Sequence, residues 1–183
     1  MFVPHGANDR TESMASYDYG VLDPFGCVGM TGKEILQRII DGRLPQAPIS
    51  KTLCFWITEV GDGEAVFEGD PAPHLLNPMG TIHGGWALTL IDSAAGCAAH
   101  SVLPAGASYT TVETKANFAK PITQLSGRVR AEARVVSQGR QIISASAQVL
   151  ALDRRVLAHG TSTIIVLPGV RESATRLTTT LPR

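Results

Sequence analysis

Asn77, His83, Gly84, Gly85 and Asp92 fall within sixteen consecutive positions of this chain. Paired glycines at the start of a helix leave backbone N–H groups unscreened by any Cβ. With the positive end of the helix behind them, such donors can receive a developing oxyanion. An ionisable carboxylate follows on the same helix, nine residues after His83. Each part has a plain reading too. Asn77-Pro78 is a turn signature, His-Gly-Gly is a loop-to-helix turn, and Asp92 can face solvent or pair with Lys115 or an arginine. The spacing of the set, with Asn77 six residues before His83, is what singles it out.

The element that carries these residues is an apolar run, GGWALTLIDSAAGCAAHSVL, over residues 84–103. Its length is near that of a membrane span. A helical wheel at about 100° per residue resolves the question. Gly85, Thr89, Asp92, Ser93, Gly96 and His100 share one arc, and Ala87, Leu90, Ile91, Ala94, Ala95 and Ala98 lie opposite. A lipid-facing helix has no use for a narrow polar arc, and a central carboxylate would cost about 2.5–3.5 kcal/mol there. The run reads as a core helix with one edge at a site or an interface.

The rest of the chain supplies a sheet to cover that helix. TGKEILQRIIDG (31–42) predicts a short helix with Thr31 as N-cap and Glu34 at the capping-box position. Pro45 and Pro48 are expected to end that segment. LCFWITEV (53–60) and EAVFEG (64–69) flank Gly61-Asp62-Gly63 and predict a hairpin. Period-two alternation predicts a strand over 109–118. Thr110, Val112, Thr114, Ala116 and Phe118 are assigned to one face, and Tyr109, Thr111, Glu113, Lys115 and Asn117 to the other. Over 127–136, Arg128, Arg130, Glu132 and Arg134 form a wet face opposite Val129, Ala131, Ala133 and Val135. Two more strands follow over 140–152 and 155–167. Five or six antiparallel strands wrapped around one helix is the economical α+β architecture.

With 183 residues, 44% of them hydrophobic, the chain is long enough for one domain with a real core. Residues 1–28 read as an irregular arm, 29–170 as the domain, and 171–183 as a loose tail. Sixteen basic against sixteen acidic residues give no surplus field to steer a nucleic acid or an anionic membrane. Three cysteines at no ligand-like spacing point to a reducing, cytoplasmic setting, and the N-terminus has no apolar leader region.

On Asn77-Pro78-x-Gly80-x-x-His83-Gly84-Gly85, Asp92, Thr111-Val112-Glu113 and Phe118-x-Lys120-Pro121, the chain resembles the hotdog-fold acyl-CoA thioesterases of the PaaI type over about residues 30–168. The resemblance implies a helix wrapped by a curved antiparallel sheet, paired into homodimers or homotetramers with active sites at the dimer interface. It also implies roles. The Gly84 N–H, beside Gly85, polarises a thioester carbonyl. Asp92 of the other subunit acts as general base or as nucleophile. Asn77 positions water or the carbonyl, His83 orients the loop or hydrogen-bonds near the thioester, and Thr111 bonds Asp92 or the water. No cofactor is expected, because coenzyme A is part of the substrate.

Ser137, Gly139 and Arg140 form a Ser-x-Gly-Arg turn that offers a cation and backbone donors to nucleotide phosphates. Met79 and Trp86 are candidates for the acyl pocket, or for the core. Cys97 and His100 provide two metal-type ligands and no second pair, so no metal is expected. No Gly-x-Ser-x-Gly elbow is present, which disfavours an α/β-hydrolase. The alternative reading is a non-catalytic acyl-CoA-binding or regulatory hotdog protein.

Overall fold

The computed structural model describes residues 17–23 and 25–167. The expected tail over 171–183 and most of the expected arm lie outside the described residues. Helix α1 spans Gly32–Ile40 and starts as the sequence predicts. The Thr31 hydroxyl accepts from the Glu34 N–H at 3.3 Å, and the Glu34 carboxylate accepts from the Thr31 N–H at 2.7 Å. This satisfies two helix-end donors reciprocally. Pro48 does not end the segment. It opens a second short helix, α2 (Pro48–Leu53), in the first turn, where its missing N–H removes no helical bond.

Strands β1 (Phe55–Gly61) and β2 (Glu64–Gly69) form the predicted hairpin. Helix α3 runs from Gly84 to Ser101. Strands β3 (Ser108–Phe118), β4 (Val129–Gln138), β5 (Ile142–Leu150) and β6 (Val156–Leu167) complete one antiparallel sheet. Its strand order is β1-β2-β4-β5-β6-β3, so β1 and β3 are the edges. The sheet curves around α3, giving the α+β architecture with the central helix that the pattern predicts. No described helix is long and apolar enough to cross a membrane.

Small side chains set how closely helix and sheet approach. Ala131, Ala145, Ala147 and Ala158 point inward from β4, β5 and β6, and each is at most 2% exposed. Leu90, Ile91, Ala94, Ala95 and Ala98 of α3 are fully buried against them. The far end of α3 is closed by α1. A Cβ on Gly32 would lie 1.9 Å from the His100 carbonyl oxygen, so only glycine fits this contact. The Gly32 N–H donates to the Leu103 carbonyl there at 3.2 Å.

One expectation about β3 is corrected. Strict alternation assigns Tyr109 and Thr114 to opposite faces. The β3–β6 register shifts between Thr111 and Glu113, a bulge that leaves Val112 unpaired. An extra residue in one strand inverts the facing of all that follow. Tyr109 and Thr111 therefore face α3 on one side of the bulge, and Thr114 and Ala116 face it on the other.

Candidate active site

The loop before α3 is built by Asn77. Its side-chain oxygen accepts from the Met79 N–H at 2.9 Å and the Thr81 N–H at 3.3 Å, and its amide donates to the Thr81 hydroxyl at 2.8 Å. Met79 sits at the tip, 87% exposed. The returning chain is pinned by the Ile82 N–H on the Ile122 carbonyl and the His83 N–H on the Leu75 carbonyl, both at 2.8 Å.

This delivers His83 to the N-cap of α3. Its ring Nδ1 accepts from the Gly85 N–H at 2.9 Å, which places the ring proton on Nε2. The neighbouring Gly84 N–H has no acceptor among the described residues. It lies at the positive end of an eighteen-residue helix, beside a cavity of about 290 Å³. Asn77, His83, Gly84, Phe118, Lys120 and Ile122 are among the residues that line the cavity. A Cβ on Gly84 would meet the Phe118 ring at 3.1 Å, so the glycine keeps both the N–H and the ring in place.

Asp92 is half-buried on α3, eight residues beyond Gly84. That separation is about 12 Å along the helix axis. The two groups therefore cannot reach one carbonyl from the same chain. Asp92 Oδ1 accepts from the Thr114 hydroxyl at 2.9 Å, and Thr114 Oγ1 lies 2.9 Å from the Ser162 hydroxyl. No cation pairs with Asp92 among the described residues. Lys115, a candidate partner by sequence, points to the outer face, where its cross-strand neighbour is Thr161.

The remaining candidates separate. Thr111 is half-buried on the inner face, beside Ile164 and on the far side of the bulge from Thr114. The hydroxyl on Asp92 within the chain is Thr114's, and strict alternation hides it. Trp86 is not in the cavity wall. It is 3% exposed in the core, packed on Gly69, with its indole N–H on the Leu53 carbonyl at 2.6 Å. Ser137, Gly139 and Arg140 lie exposed at the β4–β5 turn, which the Gly139 N–H closes on the Ile142 carbonyl at 2.8 Å. Arg140 has no ion pair among the described residues, so its guanidinium is available to an anion.

Burial pushes the Cys97 thiol up to about 12, and the Tyr109 hydroxyl partly offsets that by hydrogen bonding. Cys97 also lies near enough to Asp92 to feel its charge, which adds to the effect of burial. Burial likewise raises Tyr109 and lowers His100, whose ring lies tilted against Tyr109 with the centroids 5.1 Å apart. A neutral thiol, a phenol and a neutral imidazole pack together, partly buried, at this end of the helix.

The sequence profile of the thioesterase superfamily matches residues 79–158, the stretch from the loop tip to the inner face of β6. A thioesterase family protein from Silicibacter pomeroyi is 30% identical, with a TM-score of 0.64. The match covers 73% of this chain and 99% of that one. A conserved protein of Pseudomonas aeruginosa is 31% identical, with a TM-score of 0.62, over 66% of this chain and 94% of that one. A point mutant of the phenylacetic acid degradation protein PaaI from Thermus thermophilus is 26% identical, with a TM-score of 0.58, over 64% and 97%. No curated protein sequence matches the chain. With nearly the whole length of relatives at 30–31% identity covered, and the wrapped helix in place, the chain belongs to the thioesterase superfamily, as a PaaI-type hotdog protein.

Proposed function

We propose that this protein is an acyl-CoA thioesterase that hydrolyses an acyl- or aryl-CoA to the free acid and coenzyme A. The observation that carries the reading is the Gly84 N–H at the head of α3, beside a cavity, with Asp92 two turns away; among the described residues the N–H has no acceptor and the carboxylate no cation.

Because Gly84 and Asp92 are too far apart to share a carbonyl within one chain, the reading requires two copies. Strand β3 supplies a place for the second. It is an eleven-residue edge strand with Val112 57% and Phe118 59% exposed, the kind of open edge that pairs with another chain. In the dimer, Gly84 of one protomer polarises the thioester carbonyl. Asp92 of the partner subunit takes a proton from water, or attacks the carbonyl carbon and forms an anhydride that water then opens. In the first route Asp92 returns that proton to the departing thiolate of coenzyme A; in the second the thiolate leaves as the anhydride forms, and the water that opens the anhydride supplies the proton that makes it the free thiol. The N–H dipole acts on the charge that develops on oxygen, so it favours the transition state over the bound substrate. His83 keeps the Gly85 donor turned into the cap and leaves Gly84 as the free one. Arg140, exposed beside Ser137, supplies the cation for a nucleotide phosphate, while the Gly139 N–H is held by the Ile142 carbonyl.

A thiol-release assay across short, medium and aryl acyl-CoAs tests the reading, with Asp92→Ala beside the parent. Hydrolysis of at least one acyl-CoA is expected, with the rate falling at least about 10³-fold in the variant. No turnover of any acyl-CoA, or full rate without the carboxylate, defeats it. Sedimentation as an active monomer would defeat the two-copy site.

A further inference from the structure

Resting on the reading of Asp92 as the reacting carboxylate, we propose that Thr114 and Ser162 are positioning residues. They tie down Oδ1 of Asp92 and so present Oδ2 to the water or thioester. An ionised carboxylate accepts hydrogen bonds and donates none, so the 2.9 Å contact is donated by Thr114. The Thr114 proton is thereby committed, and its oxygen is left to accept from Ser162 at 2.9 Å. The chain of donors runs in one direction, Ser162 to Thr114 to Asp92.

The cross-strand rows on the inner face show that these hydroxyls are not generic filling. One row reads Ala133, Ala147, Gly160 and Ala116 across β4, β5, β6 and β3. The next reads Val135, Ala145, Ser162 and Thr114. Residues directly opposite point to the same face of a sheet, so both rows meet α3. The first row is small and apolar throughout. The second turns polar only over its last two strands, where it reaches Asp92.

Ser162 is 1% exposed, one of four buried polar residues among those described. Burying a hydroxyl costs free energy unless it is bonded, and valine and alanine would pack these two sites as well. The bulge at Val112 adds to the case. Without the register shift, Thr114 would face out and Asp92 would have no donor from the sheet.

A rotatable carboxylate loses rate through misplacement even when substrate still binds. Thr114→Val keeps the shape and removes the donor. Its kcat is expected to fall about 10- to 100-fold with KM within about twofold of the parent. Thr114→Ser restores the donor, and its kcat is expected within about threefold of the parent. Ser162→Ala leaves Thr114 without its own donor and is expected to lose about 3- to 10-fold in kcat. It also serves if the valine variant does not fold. Thermal melting of each variant separates rate from folding.

If Asp92→Ala is inactive while Thr114→Val, correctly folded, keeps kcat within about twofold of the parent, the positioning role is wrong and the reading of Asp92 stands. The positioning role is equally wrong if Thr114→Ser is as slow as Thr114→Val. If Asp92→Ala itself is fully active, the underlying reading fails first.

Discussion

The outer face of the sheet and the face that meets α3 treat polar groups in opposite ways. On the outer face, carboxylates and guanidinia satisfy one another. Arg128 forks onto Asp70 with Nε to Oδ1 at 2.8 Å and Nη2 to Oδ2 at 2.9 Å, and its guanidinium lies 4.7 Å from the Trp56 ring centroid. Arg130 bonds Glu59 and Glu132, each at 2.7 Å, and Arg154 reaches Glu132 as well. These pairs hold Glu132 below its ordinary carboxylate range despite its burial, and raise Arg128 and Arg130. Among the described residues on the inner side, Asp92 has one neutral hydroxyl and no cation, and the Gly84 N–H has no acceptor. Groups that hold a fold together are neutralised by it, whereas groups that act on a substrate are left with bonding capacity to give.

The contrast is sharpened most by screening an inner donor without removing it. Gly84→Ala puts a methyl group beside this N–H, 3.1 Å from the Phe118 ring that helps line the cavity. Phe118 is 59% exposed, so its ring has room to yield and the melting temperature should move by no more than a few degrees. The rate on the best acyl-CoA should fall about 10- to 100-fold. Normal melting with full kcat would show that turnover does not depend on leaving the Gly84 N–H unscreened.

The opposite result is expected on the outer face. Arg128→Ala removes a two-pronged ion pair and a cation–aromatic contact from a side chain that is 32% exposed. Discounted for that exposure, the loss should be about 1–2 kcal/mol of stability, or roughly 2–8 °C in Tm for a chain of this length. The activity of the folded variant should stay at the parent level, and the destabilisation should shrink as salt is raised. A drop in kcat at unchanged stability would break the division between the two faces.

How far this division is legible in the sequence depends on which rule governs each residue. The capping box at Thr31, the hairpin at 61–63 and the alternation at 128–135 are local patterns, and the fold obeys them. It obeys the two-faced wheel of α3 as well, because burial of Leu90, Ile91 and Ala94 against the sheet is a periodic property. Alternation misplaces Thr114 because one bulge at Val112 inverts the facing of everything after it, and no residue type there announces it. Trp86 is ambiguous in sequence because a large aromatic at a helix start suits a pocket or a core. The indole bond to Leu53 decides for the core, and that partner is thirty-three positions away. Helix α2 is hidden by Pro48, which reads as a stop until the structure shows it in the first turn. Arg128 reads as part of a wet face, and the pairing that makes it structural comes from Asp70, fifty-eight residues earlier.

His100 gives the smallest effect and the finest test of the partly buried far end of α3. Burial lowers it from its ordinary 6.5, since the imidazolium would lose water against the Tyr109 ring and the α1 contact at Gly32. The unfolded chain then takes up a proton as pH falls below about 6.5, while the folded chain does not until lower pH. Protons bound to the unfolded state favour unfolding, so the His100 contribution to stability is present above that pH and is lost as pH falls through the window beneath it. The slope is at most about 1.4 kcal/mol per pH unit, so Tm should drop by no more than about 6 °C over roughly one pH unit below 6.5. His100→Phe keeps the ring on Tyr109 and removes the titration, and its melting curve should be flatter over that interval. Equal slopes for parent and variant would mean that water reaches this imidazole, and that the far end of α3 is open to solvent much as the Gly84 end is.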